Sequence, residues 1–302
     1  MVKMPKDRGC LTVDSDKTID KGKRGILYLC ATPIGNLEDI TIRALKVLRK
    51  ADFIAAEDTR HTLKLLNRYR IKVPLISYHE HNKNYRKHEI IDKLTTGNNV
   101  VMVSDAGMPG ISDPGEDLVK EAIEAGIEVR PIPGPTALIA AVVISGLPTG
   151  RFIFEGFLPR NKKDRESRLK DLKTETRTMV FYESPHRLKQ TLNQMYEIFG
   201  DRKLAIAREM TKAYEEVFRG NISDALKHFA EKTPRGEFTI VVAGSGNKEK
   251  MEQTSCWEQI SIKDHIKMYI EQGIPKKESI KKVAKDRNLP KTKVYRESFD
   301  LE

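Results

Sequence analysis

The chain has 302 residues, 39% hydrophobic and 32% charged, which is enough for two domains with a sizeable core. Lysine and arginine number 54 against 43 aspartate and glutamate, and the net charge of +11 suits a polyanionic partner without establishing one. The longest apolar run, Ala137 to Ile144, is far short of the ~18 residues of a membrane span. No signal-peptide pattern opens the chain, and Cys10, Cys30 and Cys256 are scattered without a CxxC pair, so the composition excludes a disulfide scaffold and suits a reduced cytoplasm.

Residues 1–23 are polar and mixed in charge and read as a disordered leader. From Gly25 onward short β-branched runs (GILYLCA, ADFIAA, VPLISY, NVVMVSD, IEVRPIP) alternate with stretches of helical spacing (TIRALKVLRKA, TLKLLNRY, HEIIDKL, EDLVKEAIEAG, TALIAAVVISG). This order predicts an α/β domain over residues 24–147 with a mostly parallel sheet. GLPTG, Gly146 to Gly150, is a turn cluster suited to a boundary. Residues 148–246 repeat the theme as a second α/β domain with a mixed sheet. Its strands are RFIFEGF, TMVFYES, KLAIAREM, EEVFRG and GEFTIVVAG, and its helices RESRLKDLK, HRLKQTLNQMYEIF and SDALKHFAEK. Residues 247–302 read as a polar linker and a small helical appendage, with nine basic residues between Lys276 and Arg296 against Glu278 and Asp286. A helix-turn-helix with clustered lysines suits nucleic acid.

The loops after the predicted strands are unusual in composition, several of them carrying Gly and Pro: TPIGN, AEDTR, SDAGMPGISDPG, PIPGPTA, YESPHR, AREMTK and PRGEF. In an open α/β sheet such loops gather at the carboxyl ends of the strands, where ligands bind. They offer backbone groups and small apolar faces, a lining that suits an adenosine with an amino-acid tail better than a triphosphate. The chain has no GxxxxGK[ST], no GxGxxG after a strand and no HExxH. His79, His81 and His88 read as hydrogen-bonded histidines rather than ligands, and no metal is expected.

Taken in order, ATPIGNLEDIT, AAEDTRHT, SYHEHN, VSDAGMPGISDPG, PIPGPTALIAAVVISGLPTGRFIFEGFLPR, FYESPHRL and AREMTK resemble the ribosomal small-subunit RNA methyltransferase I family of the tetrapyrrole methylase superfamily. The resemblance covers about residues 24–244. It implies a two-domain tetrapyrrole-methylase-like fold, a homodimer, and S-adenosylmethionine folded in a cleft between domains. The implied reaction is 2′-O-methylation of a cytidine ribose in the decoding region of 16S rRNA. A porphyrinogen C-methyltransferase on the same fold and a non-enzymatic rRNA- or cofactor-binding module are the alternatives.

Carried over residue by residue, the resemblance implies cofactor contacts at Ile34 and Gly35 in the first loop, and at Ala106, Gly107, Met108 and Ile111 in the second. Thr136 and Ala137 follow in the third, then Glu183, Met210 and Gly236. Met108 stands where the family usually has Thr; a thioether accepts hydrogen bonds only weakly, which leaves backbone contacts there. A ribose hydroxyl needs a proton acceptor, and the cleft loops offer Glu57, Asp58, Glu183 and Glu209, with Arg60, Arg208 and Lys212 as cations. Asp58 or Glu183 is expected to take the proton, with Arg60 orienting the RNA. Phosphate contacts are expected from Arg160, Lys162, Lys163, Arg165 and Arg168, and from Lys276, Lys277, Lys281, Lys282, Lys285, Lys291 and Lys293.

Overall fold

A computed structural model describes residues 24–230, 233–246, 260–287 and 289–298. The expected leader, the linker segment 247–259, Cys10 and Cys256 lie outside the described residues. The chain divides into two units, one of Met1–Ala140 with Arg208–Glu216 and one of Ala141–Ala207 with Val217–Glu302.

The first unit holds β1 (Ile26–Cys30), α1 (Ile42–Lys50), β2 (Phe53–Ala56), α2 (Thr59–Arg68), β3 (Leu75–Ser77), α3 (Lys83–Thr95), β4 (Val100–Val103), α4 (Gly115–Glu124) and β5 (Glu128–Ile132). Helix α5 (Ala137–Ile144) follows. The five strands are parallel in the order β3-β2-β4-β1-β5. Side chains alternate across each strand, so Val101 and Val103 join Cys30 and Ile54 against α1 and α2, while Val100 and Met102 join Leu27 and Ala55 against α3 and α4. β4 is therefore buried on both faces, which its unbroken apolar run VVMV reflects. Pro131, which cannot donate to a ladder, is accommodated on the edge strand β5. Helix α3 starts five residues before the apolar pattern of HEIIDKL, because its first turns are polar and carry no periodic signal.

This winding has a consequence for the loops. The chain leaves β1 and β2 toward one face and β4 toward the other, so the loops after β4 part from those after both of its neighbours. Crevices open at such points in α/β sheets.

The second unit holds β6 (Phe152–Phe157), α6 (Lys162–Asp171), β7 (Thr178–Glu183), α7 (Leu188–Phe199), β8 (Lys203–Arg208), β9 (Glu216–Asn221), α8 (Ile222–Ala230) and β10 (Phe238–Val242). Its strand order is β6-β7-β10-β8-β9, with β6 parallel and β10 antiparallel to β7, as a mixed sheet requires. Met179, Phe181, Leu192, Met195, Ile206, Phe229 and Ile240 are among its core residues. Toward the C-terminus α9 (Ile262–Glu271), α10 (Lys276–Asp286) and α11 (Lys291–Arg296) close on their own apolar cluster of Ile266, Ile280, Val283, Ala284 and Val294. Among the described residues no helix is long and apolar enough to cross a membrane.

Leu27 is fully buried on the interior strand β1. Leu27→Ala should lower the free energy of unfolding by about 2–5 kcal/mol, read from urea titrations of the two proteins.

Candidate active site

The site in the first unit starts from one backbone contact. Just beyond β1 and β4, Thr32 N donates to Gly107 O at 2.8 Å and Gly107 N returns a bond to Thr32 O at 3.1 Å. The Thr32 hydroxyl adds a bond to Ser104 O at 3.3 Å, so the first and second loops are joined where they would otherwise part. Gly107 lies at φ +78°, and a Cβ there would stand 3.3 Å from Ile34 Cγ2 and 3.5 Å from Pro135 O. The left-handed backbone and the closeness of the third loop both favour glycine.

A fourth loop reaches the same place. Asn36 N donates to Thr211 Oγ1 at 3.0 Å, and a Cβ on Gly35 would collide with the Lys212 side chain. Glu209 and Thr211 both sit at positive φ, +49° and +67°, on either side of buried Met210. Such backbone costs on the order of 1–3 kcal/mol per residue and persists only where surrounding bonds hold it. Here the Lys212–Glu209 ion pair at 2.9 Å and the bond from Thr211 N to Glu215 Oε2 at 2.6 Å hold it.

The expected cofactor residues Ile34, Gly35, Ala106, Gly107, Met108, Ile111, Thr136, Ala137 and Met210 thus lie on four loops of one unit, and Ile34, Gly107 and Pro135–Thr136 meet directly. Ile34 and Met210 are buried, whereas Ile111 is exposed. Glu183 and Gly236 belong to the second unit, Gly236 at φ +87° ahead of β10.

Negative charge collects beside these loops. Asp58 N donates to Asp105 Oδ1 at 3.0 Å, and Asp113 ties the second loop by accepting from Gly110 N at 2.9 Å and Gly115 N at 2.8 Å. Burial pushes the Glu57 carboxyl above its ordinary range, and the charges of Asp105, Asp113 and Asp58 push it further. Asp58 goes the other way. It caps α2, accepting from Arg60 N at 2.8 Å, and that bond holds its carboxyl below the usual range. A groove of about 510 Å³ is lined by Glu57, Asp58, Arg60, Ser77, His79 and His81. No group of three or more His, Cys, Asp or Glu among the described residues is placed to hold a metal ion.

The chemistry of this lining fits a cation better than a phosphate. Asp105 and Asp113 lie on the second loop, and Glu57 and Asp58 share the neighbouring groove with Arg60; carboxylates beside apolar and backbone surface disfavour a pyrophosphate and favour a sulfonium and an α-amino group. S-adenosylmethionine carries both cations.

Two expected site residues have other tasks. Glu183 is 2% exposed, and its carboxylate accepts from Thr191 Oγ1 at 2.6 Å and Ser184 N at 2.8 Å and faces Arg187 at 3.5 Å. Its oxygens are buried among these partners rather than open to substrate. Arg165, expected on RNA, is 1% exposed; its guanidinium bonds Gln194 and the carbonyls of Pro159 and Arg160. Of the same cluster Arg160, Lys162, Lys163 and Arg168 are exposed, Arg168 paired with Glu155. In the C-terminal helices Lys276, Lys277, Lys281 and Lys291 line one groove of about 940 Å³ with Tyr295 and Arg296. Lys285 and Lys293 are exposed outside that lining, and Lys282 lies over the Tyr269 ring at 5.2 Å.

Residues 26–226 match the family model of the tetrapyrrole (corrin/porphyrin) methylases. A Bacillus subtilis (strain 168) protein named ribosomal RNA small subunit methyltransferase I is 51% identical over 275 residues, covering 91% of this chain and 94% of its own. The chain belongs to that methyltransferase family. A Thermotoga maritima protein of the same name is 58% identical over 220 residues, which cover 99% of it but 73% of this chain. About a quarter of this methyltransferase therefore has no counterpart there. Two solved structures share the fold: the methyltransferase CobJ (20% identity, 73% of this chain and 95% of that one, TM-score 0.56) and uroporphyrin-III-C-methyltransferase from Thermus thermophilus (23%, 73% and 94%, 0.51).

Thr32, Asp113 and Thr211 do structural work at the site that residue type did not announce. Thr32 and Asp113 lie inside loops marked by Gly and Pro, and that marking was the available signal; Thr211 lies in AREMTK, which has neither, and its signal was only its place after a strand. For Glu57 the sign of the pH effect follows from its raised carboxyl, which holds its proton more tightly folded than unfolded. Ionising it at neutral pH costs stability, and the cost disappears as pH falls through the ordinary carboxylate range. Glu57→Gln should therefore raise the melting temperature of the ligand-free protein at pH 7 and leave it unchanged below about pH 4.

Proposed function

We propose that this protein transfers the methyl group of S-adenosylmethionine to the 2′-oxygen of a cytidine ribose in the decoding region of 16S rRNA. The observation that carries the reading is the four-loop site of the first unit, backbone-lined and with Asp105 and Asp113 on its second loop, in a chain whose curated relatives are named for ribosomal RNA. Bound there, S-adenosylmethionine supplies a methyl group already activated by its sulfonium, so the protein has chiefly to position it.

The loops divide the remaining tasks. Ile34, Met108 and Met210 offer apolar surface to the cofactor, and Gly35, Ala106, Gly107, Thr136 and Ala137 offer backbone that can come close. The proton acceptor is a carboxylate of the Glu57–Asp58 pair. Asp58 is spent on capping α2 and is the weaker base, so Glu57, half-buried with a raised carboxyl, is the better matched to neutral pH. Arg60, in the same groove, orients the RNA or steadies the developing alkoxide. The basic groove of α10 and α11 and the exposed Arg160, Lys162, Lys163 and Arg168 take phosphates. A cytoplasmic address and a homodimer come with the reading.

The test is transfer of labelled methyl from S-adenosylmethionine to small ribosomal subunits lacking the mark, with the modified nucleotide mapped. Label on a single cytidine 2′-oxygen is expected. Label on an offered porphyrinogen and none on RNA would replace the reading with C-methylation, and no transfer would leave a binding module.

The C-terminal helices close on their own apolar cluster and carry the basic groove, so they are assigned to RNA binding rather than to chemistry. Deleting residues 247–302 should raise KM for the rRNA substrate and flatten its salt dependence while kcat holds. Equal KM across a salt titration would remove the helices from RNA binding.

A further inference from the structure

The second unit carries an exposed aromatic surface with no part in methyl transfer as described above. Along the edge strand β6 the register against β7 shifts between Phe154 and Gly156, making Glu155 an extra residue, with Gly156 at φ +63°. In a regular strand Phe154 and Phe157, three residues apart, would face opposite sides. The bulge turns both to the same side. Both rings rest on Tyr182 of β7, at centroid distances of 5.0 Å and 5.6 Å, and Phe157, at the outer end of the trio, is 55% exposed.

The geometry is held from behind. The Glu155 side chain, 9% exposed, receives Arg168 Nε at 2.9 Å and Nη2 at 3.0 Å, which pins the bulge. Arg187 Nη2 donates to Leu158 O at 2.7 Å and Pro159 O at 3.1 Å, and Arg165 Nη1 to Pro159 O at 3.3 Å and Arg160 O at 3.1 Å. Arg187 is in turn faced by the buried Glu183. The residues following Phe157 are thereby fixed, and they lead directly to exposed Arg160, Lys162 and Lys163.

A fixed, outward-facing ring beside exposed cations is the composition that recognises single-stranded nucleic acid: the ring stacks a base of any sequence and the cations take the flanking phosphates. We propose that Phe157, backed by Tyr182 and Phe154, is a stacking platform for an unpaired base of the RNA substrate, with Arg160, Lys162 and Lys163 on its phosphates. The inference rests on RNA being the substrate. Glu183, Arg165 and Arg187 are positioning residues for this platform, which gives the buried arginine of the basic cluster a purpose.

The probe is a fluorescein-labelled single-stranded RNA of about 12 nucleotides, with a second version carrying 2-aminopurine, titrated onto the full-length protein. Phe157→Leu keeps apolar bulk and loses the π face. It should weaken binding about tenfold and abolish the 2-aminopurine quenching seen with wild type, while Phe157→Trp preserves both. Affinity for S-adenosylmethionine, the sedimentation coefficient and kcat on small subunits should stay unchanged, with KM rising. Wild-type RNA affinity and quenching in Phe157→Leu, with binding weakened in a Lys162→Ala, Lys163→Ala double variant, would overturn the platform and leave the RNA reading standing. A changed sedimentation coefficient with unchanged RNA affinity would overturn it in favour of a subunit contact. Methyl transfer to a porphyrinogen, with none to RNA by wild type, would remove the reading beneath it.

Discussion

The two-way backbone bond between Thr32 and Gly107 is the contact on which the site depends. The winding of the first sheet sends the chain away from β1 and from β4 to opposite faces, which opens a crevice but leaves its two walls unconnected. The bridge joins the walls at their roots, and only a residue tolerant of φ +78° can make it there. Ile34 is then held against the second loop, the third loop can approach, and the strained Glu209–Thr211 turn closes beside Gly35. Local backbone strain here serves an arrangement that no single loop could adopt alone.

Charge is sorted by location rather than spread. The chain is strongly basic, yet four carboxylates gather beside the first-unit loops, and the Glu57 carboxyl is raised by its burial first and by the charges of Asp105, Asp113 and Asp58 second. Arginines in the second unit serve two purposes that sequence position alone does not separate: Arg165 and Arg187 are clamps for backbone carbonyls, while Arg160 beside them is exposed. Carboxylates gathered beside one set of loops and basic surfaces elsewhere are compatible on one chain because screening confines each to within about 10 Å at ordinary salt.

The alternation of apolar runs and helical spacing made the fold class readable, because burying β4 on two faces demands a run such as VVMV and an amphipathic helix demands its stripe. The Gly- and Pro-rich loops likewise marked the place of the site. What could not be read was the use of each polar side chain. Glu183 ends an apolar strand at the start of a loop-like motif and looks available, yet its environment is set by Thr191 and Arg187 from the following helix region. Arg165 falls in a run of basic residues, yet the helical turn places it inward against Gln194. Helix α3 began early for a related reason: polar first turns carry no period to detect. The bulge at Glu155 was invisible for lack of any partner strand in a sequence, and without it Phe157 reads as one more apolar residue.

The central claim is that backbone shape at Gly107, in a carboxylate-lined crevice, holds S-adenosylmethionine. Calorimetric titration of S-adenosylmethionine into wild-type protein and Gly107→Ala, with circular dichroism confirming the fold of both, tests it most directly. One cofactor bound per chain by wild type, and affinity reduced by tenfold or more in Gly107→Ala, is the expected result. Equal affinity in the two proteins, or preferential binding of a dinucleotide by wild type, would contradict the account.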